Sequence, residues 1–227
     1  MKFASSKWSH YHDAQREEFA RVAKPIKALL EIGVEGGGSL EMWNEMFPGT
    51  KIVGLDIDPR CKAAEREGFA VEIGDQTDRA FLRGVVQRHG PFSIIVDDGG
   101  HWPFMQRTAF EELWPALVFG GCYCVEDLHT AYSLRWGGKG FLRFCYGLID
   151  AMNGHHYNCR SPYRGEIGAV NFRDSLVFIH KARWEKPHVL DSSGLVDCRG
   201  AQAPQAHIKR LMFANLVRKL LGRTNNK

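Results

Sequence analysis

Five short apolar runs, separated by stretches of helical periodicity, constrain this chain more than any other feature. They are KALLEIGV (27–34), KIVGLDID (51–58), FAVEIGD (69–75), FSIIVDD (92–98) and GCYCVED (121–127). Helical patterns fill the gaps near 39–47, 59–67, 78–89 and 104–117. Strands alternating with helices of this length form βαβ units, which build an α/β fold around a parallel sheet. The runs are apolar nearly throughout, as strands covered on both faces must be. Further on, GFLRFCYGLIDAM (140–152) reads as a helix. IGAVNF (167–172) and SLVFIHKA (175–182) meet at Arg173-Asp174 and read as a hairpin that gives the sheet an antiparallel edge.

The 227 residues suit a single domain. Within it, 1–26 reads as an N-terminal arm, 128–165 as an active-site cover behind the fifth strand, and 207–227 as a basic helix and tail. The tail holds six basic side chains and no acid; subtracting those six from the net charge of +4 leaves −2 for residues 1–206. The body is therefore not a nucleic-acid-binding surface by charge. Ile208, Leu211, Met212, Leu216 and Leu220 give the tail an apolar stripe. That stripe is expected to pack on the body or on a second copy in a homo-oligomer, with peripheral contact to an anionic membrane as the alternative. No apolar run reaches the roughly 18 residues of a membrane span. The N-terminus shows no apolar leader core, so a cytoplasmic location is expected. Six cysteines without a CxxC pair read as buried free thiols.

The end of the first run is rich in glycine: Glu31-Ile32-Gly33-Val34-Glu35-Gly36-Gly37-Gly38-Ser39 opens into a helix. Such a turn lets backbone approach a ligand closely. Asp56 ends the second run, where a carboxylate can take ribose hydroxyls, and Gly74-Asp75-Gln76 ends the third, at a place suited to an adenine edge. Asp97 ends the fourth. A pyrophosphate would be repelled by Glu31, Glu35 and Asp97, whereas a cationic sulfonium carrying an ammonium group would be attracted. The residues therefore favour S-adenosylmethionine over a dinucleotide.

The fourth and fifth runs end in Asp97-Asp98-Gly99-Gly100-His101 and Glu126-Asp127-Leu128-His129. Asp98, Glu126 and Asp127 in one cleft would repel one another unless a cation neutralised them. Hard oxygen donors favour Mg²⁺, or Mn²⁺ in its place. His101, three residues past Asp98, can take a proton from a hydroxyl.

With these motifs the chain resembles the metal-dependent sugar O-methyltransferases that act on macrolide sugars and rhamnosyl glycans, to which proteins described as cephalosporin hydroxylases are related. The matching pieces are SKWSHYHDAQREEF (6–19), LEIGVEGGGSLEMW (30–43), IVGLDID (52–58), IGDQTD (73–78), DDGGH (97–101) and VEDLHT (125–130). The resemblance implies a Rossmann-like class I methyltransferase fold with a seven-stranded, mostly parallel sheet. It implies Asp98, Glu126 and Asp127 as metal ligands and His101 as general base. It places Glu31, Gly33, Gly37, Ser39, Asp56, Asp75, Gln76 and Asp97 at the S-adenosylmethionine pocket, with Lys7, Trp8 and Tyr11 in an arm folded over cofactor or substrate. The acceptor it implies is a sugar hydroxyl of a glycoside, glycolipid or natural product. Methylation of RNA or another small molecule in the same pocket is the alternative enzyme reading, and a binding subunit without chemistry the non-enzymatic one.

Overall fold

The computed structural model describes residues 7–156 and 159–183. Seven strands form one sheet: β1 (Ala28–Ile32), β2 (Lys51–Asp56), β3 (Ala70–Ile73), β4 (Phe92–Asp97), β5 (Leu117–Val125), β6 (Ile167–Arg173) and β7 (Leu176–Lys181). Their order is β3-β2-β1-β4-β5-β7-β6. The first five strands pair in parallel, while β7 runs antiparallel to both β5 and β6. The expected parallel sheet with an antiparallel hairpin is thus present, with β7 set between β5 and the edge strand. Ser175, at a φ of 60°, makes the hairpin turn.

Among the described residues, five α-helices flank the sheet: α1 (Ser9–Phe19), α2 (Gly38–Met46), α3 (Arg79–His89), α4 (Pro103–Leu113) and α5 (Gly140–Met152). Their starts follow local chemistry. The Asp78 carboxylate caps α3 by accepting from the amides of Ala80 and Phe81. Pro103 opens α4, where its missing N–H costs nothing. The helical stretch 59–67 is a 3₁₀ helix opened by Pro59. The bounds of two later elements need correction. The helix expected over 104–117 ends at Leu113 because Pro115 cannot continue it, and β5 starts at Leu117 rather than at 121.

Two apolar cores sandwich the sheet. One joins α3, α4 and α5 through Leu82, Val85, Phe110, Trp114, Phe141 and Leu148. The other joins α1 and α2 through Tyr11, Phe19, Leu40 and Trp43. Tyr163, from the expected cover segment, packs on Phe110, Trp114 and Phe144. Helix α5, in the same segment, belongs to the helical layer. Cys61, Cys122, Cys124 and Cys145 are buried free thiols, and Cys159 is free and half-buried. Tyr157, Cys198 and the basic helix 208–221 with its tail lie outside the described residues. No described helix is long and apolar enough to cross a membrane.

Candidate active site

The strand order reverses between β1 and β4, and in open parallel sheets the crevice beyond the carboxyl ends at such a point is where ligands bind. A cleft of about 440 Å³ lies there. Gly33, Ser39, Asp56, Asp75, Gln76, Asp98, His101 and Asp127 all line it. Backbone bonds hold the strand ends in register: Gly33 N–H donates to Leu55, Asp98 N–H to Ile32, and Glu126 N–H to Asp97.

The glycine turn is fixed by need. Gly33 has a φ of +88°, and a Cβ there would stand 2.1 Å from the Asp98 carbonyl oxygen. Only glycine lets β1 pass the β4 loop at this distance. Gly37, at +80°, starts α2. Asp56 Oδ2 accepts the amides of Val34 (2.8 Å) and Glu35 (3.1 Å), and its Oδ1 accepts that of Asp58 (2.9 Å). Burial opposes ionisation of Asp56, but these amides outweigh it and hold the carboxyl below its ordinary range. Beneath the cleft, Glu31 Oε2 accepts from the Ser39 hydroxyl at 2.5 Å. Asp97 is buried and accepts from Gln76 Nε2 at 3.2 Å, and burial pushes its carboxyl up to about 7.

The acids and His101 form two overlapping groups. Donor atoms of Asp98, His101 and Asp127 all lie within 4.8 Å of one another, as do those of Glu31, Asp98 and Glu126. His101 Nε2 stands 3.5 Å from Asp127 Oδ2. Both residues are left-handed, at φ of 58° and 57°, and Glu35 joins them at 48°. Such backbone is sparsely populated outside glycine, and three instances around one cleft mark a constrained site.

Helix α1 supplies the residues that sequence reasoning missed or left without a partner. Lys7, just before it, places Nζ 2.8 Å from Asp98 Oδ2, 2.8 Å from Glu126 Oε1 and 3.1 Å from Glu31 Oε1. Burial alone would favour the neutral amine, but the three carboxylates reverse that and hold it charged. Gln15 Nε2 donates to Glu126 Oε1 at 2.7 Å. Tyr11, expected at the cofactor pocket, is buried and donates its hydroxyl to Asp127 Oδ1 at 2.7 Å. The signal for this face was the four-residue step from Tyr11 to Gln15, which puts both on one side of α1, with Lys7 in the extended stretch that leads into it.

The donor set suits a hard cation. Carboxylate oxygens predominate, and Glu126 Oε2 is buried with no hydrogen-bond partner. Burial pushes the Glu126 carboxyl up against the pull of Lys7, so a further positive charge would relieve it. Aromatic rings stand at the rim: His101 and Trp136 meet edge to face at 6.1 Å, and Trp102 lies 6.3 Å from Trp136.

No family model matches the chain. It is 40% identical over 200 residues to 8-demethyl-8-(2-methoxy-alpha-L-rhamnosyl)-tetracenomycin-C 3'-O-methyltransferase of Streptomyces olivaceus, covering 80% of this chain and 50% of that protein. It is 41% identical over 176 residues to mycinamicin VI 2''-O-methyltransferase of Micromonospora griseorubida, covering 68% and 44%. Among solved structures it superposes on the MycE methyltransferase of the mycinamycin pathway, in complex with Mg and SAH, with a TM-score of 0.70 and 33% identity, covering 80% of this chain and 51% of that one. The chain thus spans about half the length of the curated relatives it matches. Over that shared length, in both sequence and fold, the chain is similar to the sugar O-methyltransferases of the tetracenomycin and mycinamicin pathways.

Proposed function

We propose that this chain transfers a methyl group from S-adenosylmethionine to a hydroxyl of a sugar carried by a small-molecule glycoside, with a divalent ion, Mg²⁺ or Mn²⁺, in the cleft. The observation that carries this reading is the convergence of Asp98, His101 and Asp127 in a cleft that Gly33, Asp56 and Gln76 also line. A relative at 33% identity holds Mg and SAH, which supports both ligands.

Bound S-adenosylmethionine supplies an electrophilic methyl on sulfur, and a divalent ion lowers the pKa of a neighbouring hydroxyl. The rest belongs to the chain's own residues. Asp98 and Asp127 would hold the ion in the cleft; Glu126, expected as a third ligand, groups instead with Glu31 and Asp98 around Lys7. Glu31 and Ser39 offer a carboxylate and a hydroxyl below the glycine turn, suited to the donor's ammonium end. Asp56 offers its remaining lone pairs to ribose hydroxyls, and exposed Ile57 an apolar surface beside them. Asp75 and Gln76 stand at the third strand end, by the base.

His101 takes the acceptor's proton at Nε2 as the hydroxyl oxygen attacks the methyl carbon and the carbon–sulfur bond breaks. The imidazolium so formed lies beside the Asp127 carboxylate, which stabilises it. General-base help of this kind is worth about 10²–10⁴-fold in rate. Trp102 and Trp136 at the rim offer apolar faces to the sugar's C–H surface. Incubating the protein with donor, Mg²⁺ and a panel of deoxysugar glycosides, then weighing the glycosides by mass spectrometry, tests the reading. A product heavier by one methylene supports it. Donor binding with no glycoside methylated overturns it.

A further inference from the structure

Three buried or half-buried carboxylates share one ammonium on this cleft floor. Glu31 and Glu126 are fully buried, Asp98 is 23% exposed, and the Lys7 side chain between them is 3% exposed. Lys7 Nζ also lies 5.7 Å from the ring of the buried Trp43. Fully ionised, the three carboxylates and one ammonium carry a formal −2, the charge that one divalent cation cancels. An ammonium has three N–H donors and no acceptor, and here three carboxylate oxygens stand within 3.1 Å of it. Lys7 engages one oxygen of Glu126, and the other, Oε2, is left buried without a partner.

We propose that Lys7 is a positioning residue: an internal counter-ion that holds Glu31, Asp98 and Glu126 together before any metal is loaded, and so joins the donor end of the cleft to the ion end. The proposal rests on the divalent-ion reading above. Without Lys7 the three acids repel one another in a poorly hydrated nest, and they must splay apart or take up protons. A divalent ion then supplies the neutralising charge. A lysine that merely filled space would stabilise the fold equally with and without the ion. A counter-ion would not.

The test uses the full chain with Lys7→Met and Lys7→Arg. Melting temperatures are read in chelator and across a Mn²⁺ titration, and Mn²⁺ affinity is read by calorimetry. In chelator, Lys7→Met should melt about 10 °C below the parent protein. Saturating Mn²⁺ should close at least about half of that gap, since it cancels the charge left uncompensated. Lys7→Arg, which keeps the charge, should follow the parent in both conditions. If Lys7→Met does not yield folded protein, adding Glu126→Gln should recover it by removing one of the stranded charges. Equal losses for Lys7→Met with and without Mn²⁺, no loss in chelator, or no recovery by Glu126→Gln would overturn the role of Lys7. Calorimetry on the parent separates the two readings. Mn²⁺ binding with equal stabilisation of parent and Lys7→Met removes only the lysine's role, whereas absent binding removes the ion site and the lysine's role together.

Discussion

His101 Nε2 faces Asp127 Oδ2 across 3.5 Å, and both residues hold left-handed backbone to do so. The two come from different strand ends, β4 and β5, so the pairing is made by the sheet and not by local sequence. Strain of this kind persists only where the surroundings enforce it. Here they do: Trp102 N–H bonds the Gly100 carbonyl on one side, and Leu128 N–H bonds the Ser175 carbonyl on the other.

Removing the imidazole should separate chemistry from binding. His101→Ala should lower methyl transfer by at least about 100-fold while donor affinity stays within about threefold. Steady-state rates and calorimetry with S-adenosylhomocysteine read the two quantities. Unchanged turnover would remove His101 from the chemistry.

Ion binding should depend on the ligands and on what orients them. Asp127→Asn should raise the Mg²⁺ concentration for half-maximal activity by at least about tenfold. Tyr11→Phe deletes the 2.7 Å hydrogen bond to Asp127 and should weaken the ion by about tenfold, with turnover recovering at saturating Mg²⁺. Ion titrations of activity check both. A Tyr11→Phe defect that Mg²⁺ does not repair would place the tyrosine elsewhere in the mechanism.

Gly33→Ala should fail for a geometric reason. The added carbon would meet the Asp98 carbonyl at 2.1 Å, at a φ of +88°. Either the turn or the β4 loop must move, at a cost of at least about 2 kcal/mol. Denaturant melts should show that loss, and donor binding should fall with it. Wild-type stability and donor affinity would contradict the close approach.

Acid should loosen α1 first. Glu18 is buried and accepts from Asn171 (2.9 Å), Arg173 (2.9 Å) and His180 (3.1 Å) on β6 and β7. Burial opposes its ionisation, but these partners outweigh burial and hold the carboxyl below its usual 4.5. A depressed carboxyl contributes stability that is complete above its unfolded pKa and is lost as pH falls through the folded one. The window is therefore below about pH 4.5, the unfolded value. Glu18→Gln should cost about 1–2 kcal/mol near neutrality and flatten the fall in stability between pH 5 and 3, read by denaturant melts across that range. A parallel fall in both proteins would assign the acid sensitivity to other groups.

Much of the fold was legible because each parallel strand is an apolar run closed by a polar residue. Asp56, Asp75, Asp97 and Asp127 each follow such a run, and polar residues at the same ends of neighbouring parallel strands must converge. The glycine turn was legible for the same reason, since few other features put glycines directly after a buried strand. Residues 114–117 misled because Trp114, Ala116 and Leu117 continue the apolar spacing of α4 while Pro115 ends it. The α1 face was harder to read. Lys7, Tyr11 and Gln15 are polar or amphipathic and carry no apolar periodicity, so the common direction of Tyr11 and Gln15 shows only in their four-residue step. Their partners lie 91 to 119 positions away, which only the folded sheet brings near. Glu126 illustrates the limit of reading acids as a set. It ends β5 beside Asp127, yet it turns into the buried nest of Lys7 and Gln15, while Asp127 faces His101 and the cleft.

The central claim is tested most directly by transfer of labelled methyl from S-adenosylmethionine to a deoxysugar glycoside, measured with Mg²⁺ and again after chelation. The expected result is label in the sugar only when the ion is present, restored on adding Mg²⁺ or Mn²⁺ back, and absent for Asp98→Asn at the same ion concentration. Label transferred at the same rate in chelator, or at the parent rate by Asp98→Asn, would contradict the ion's place in this cleft.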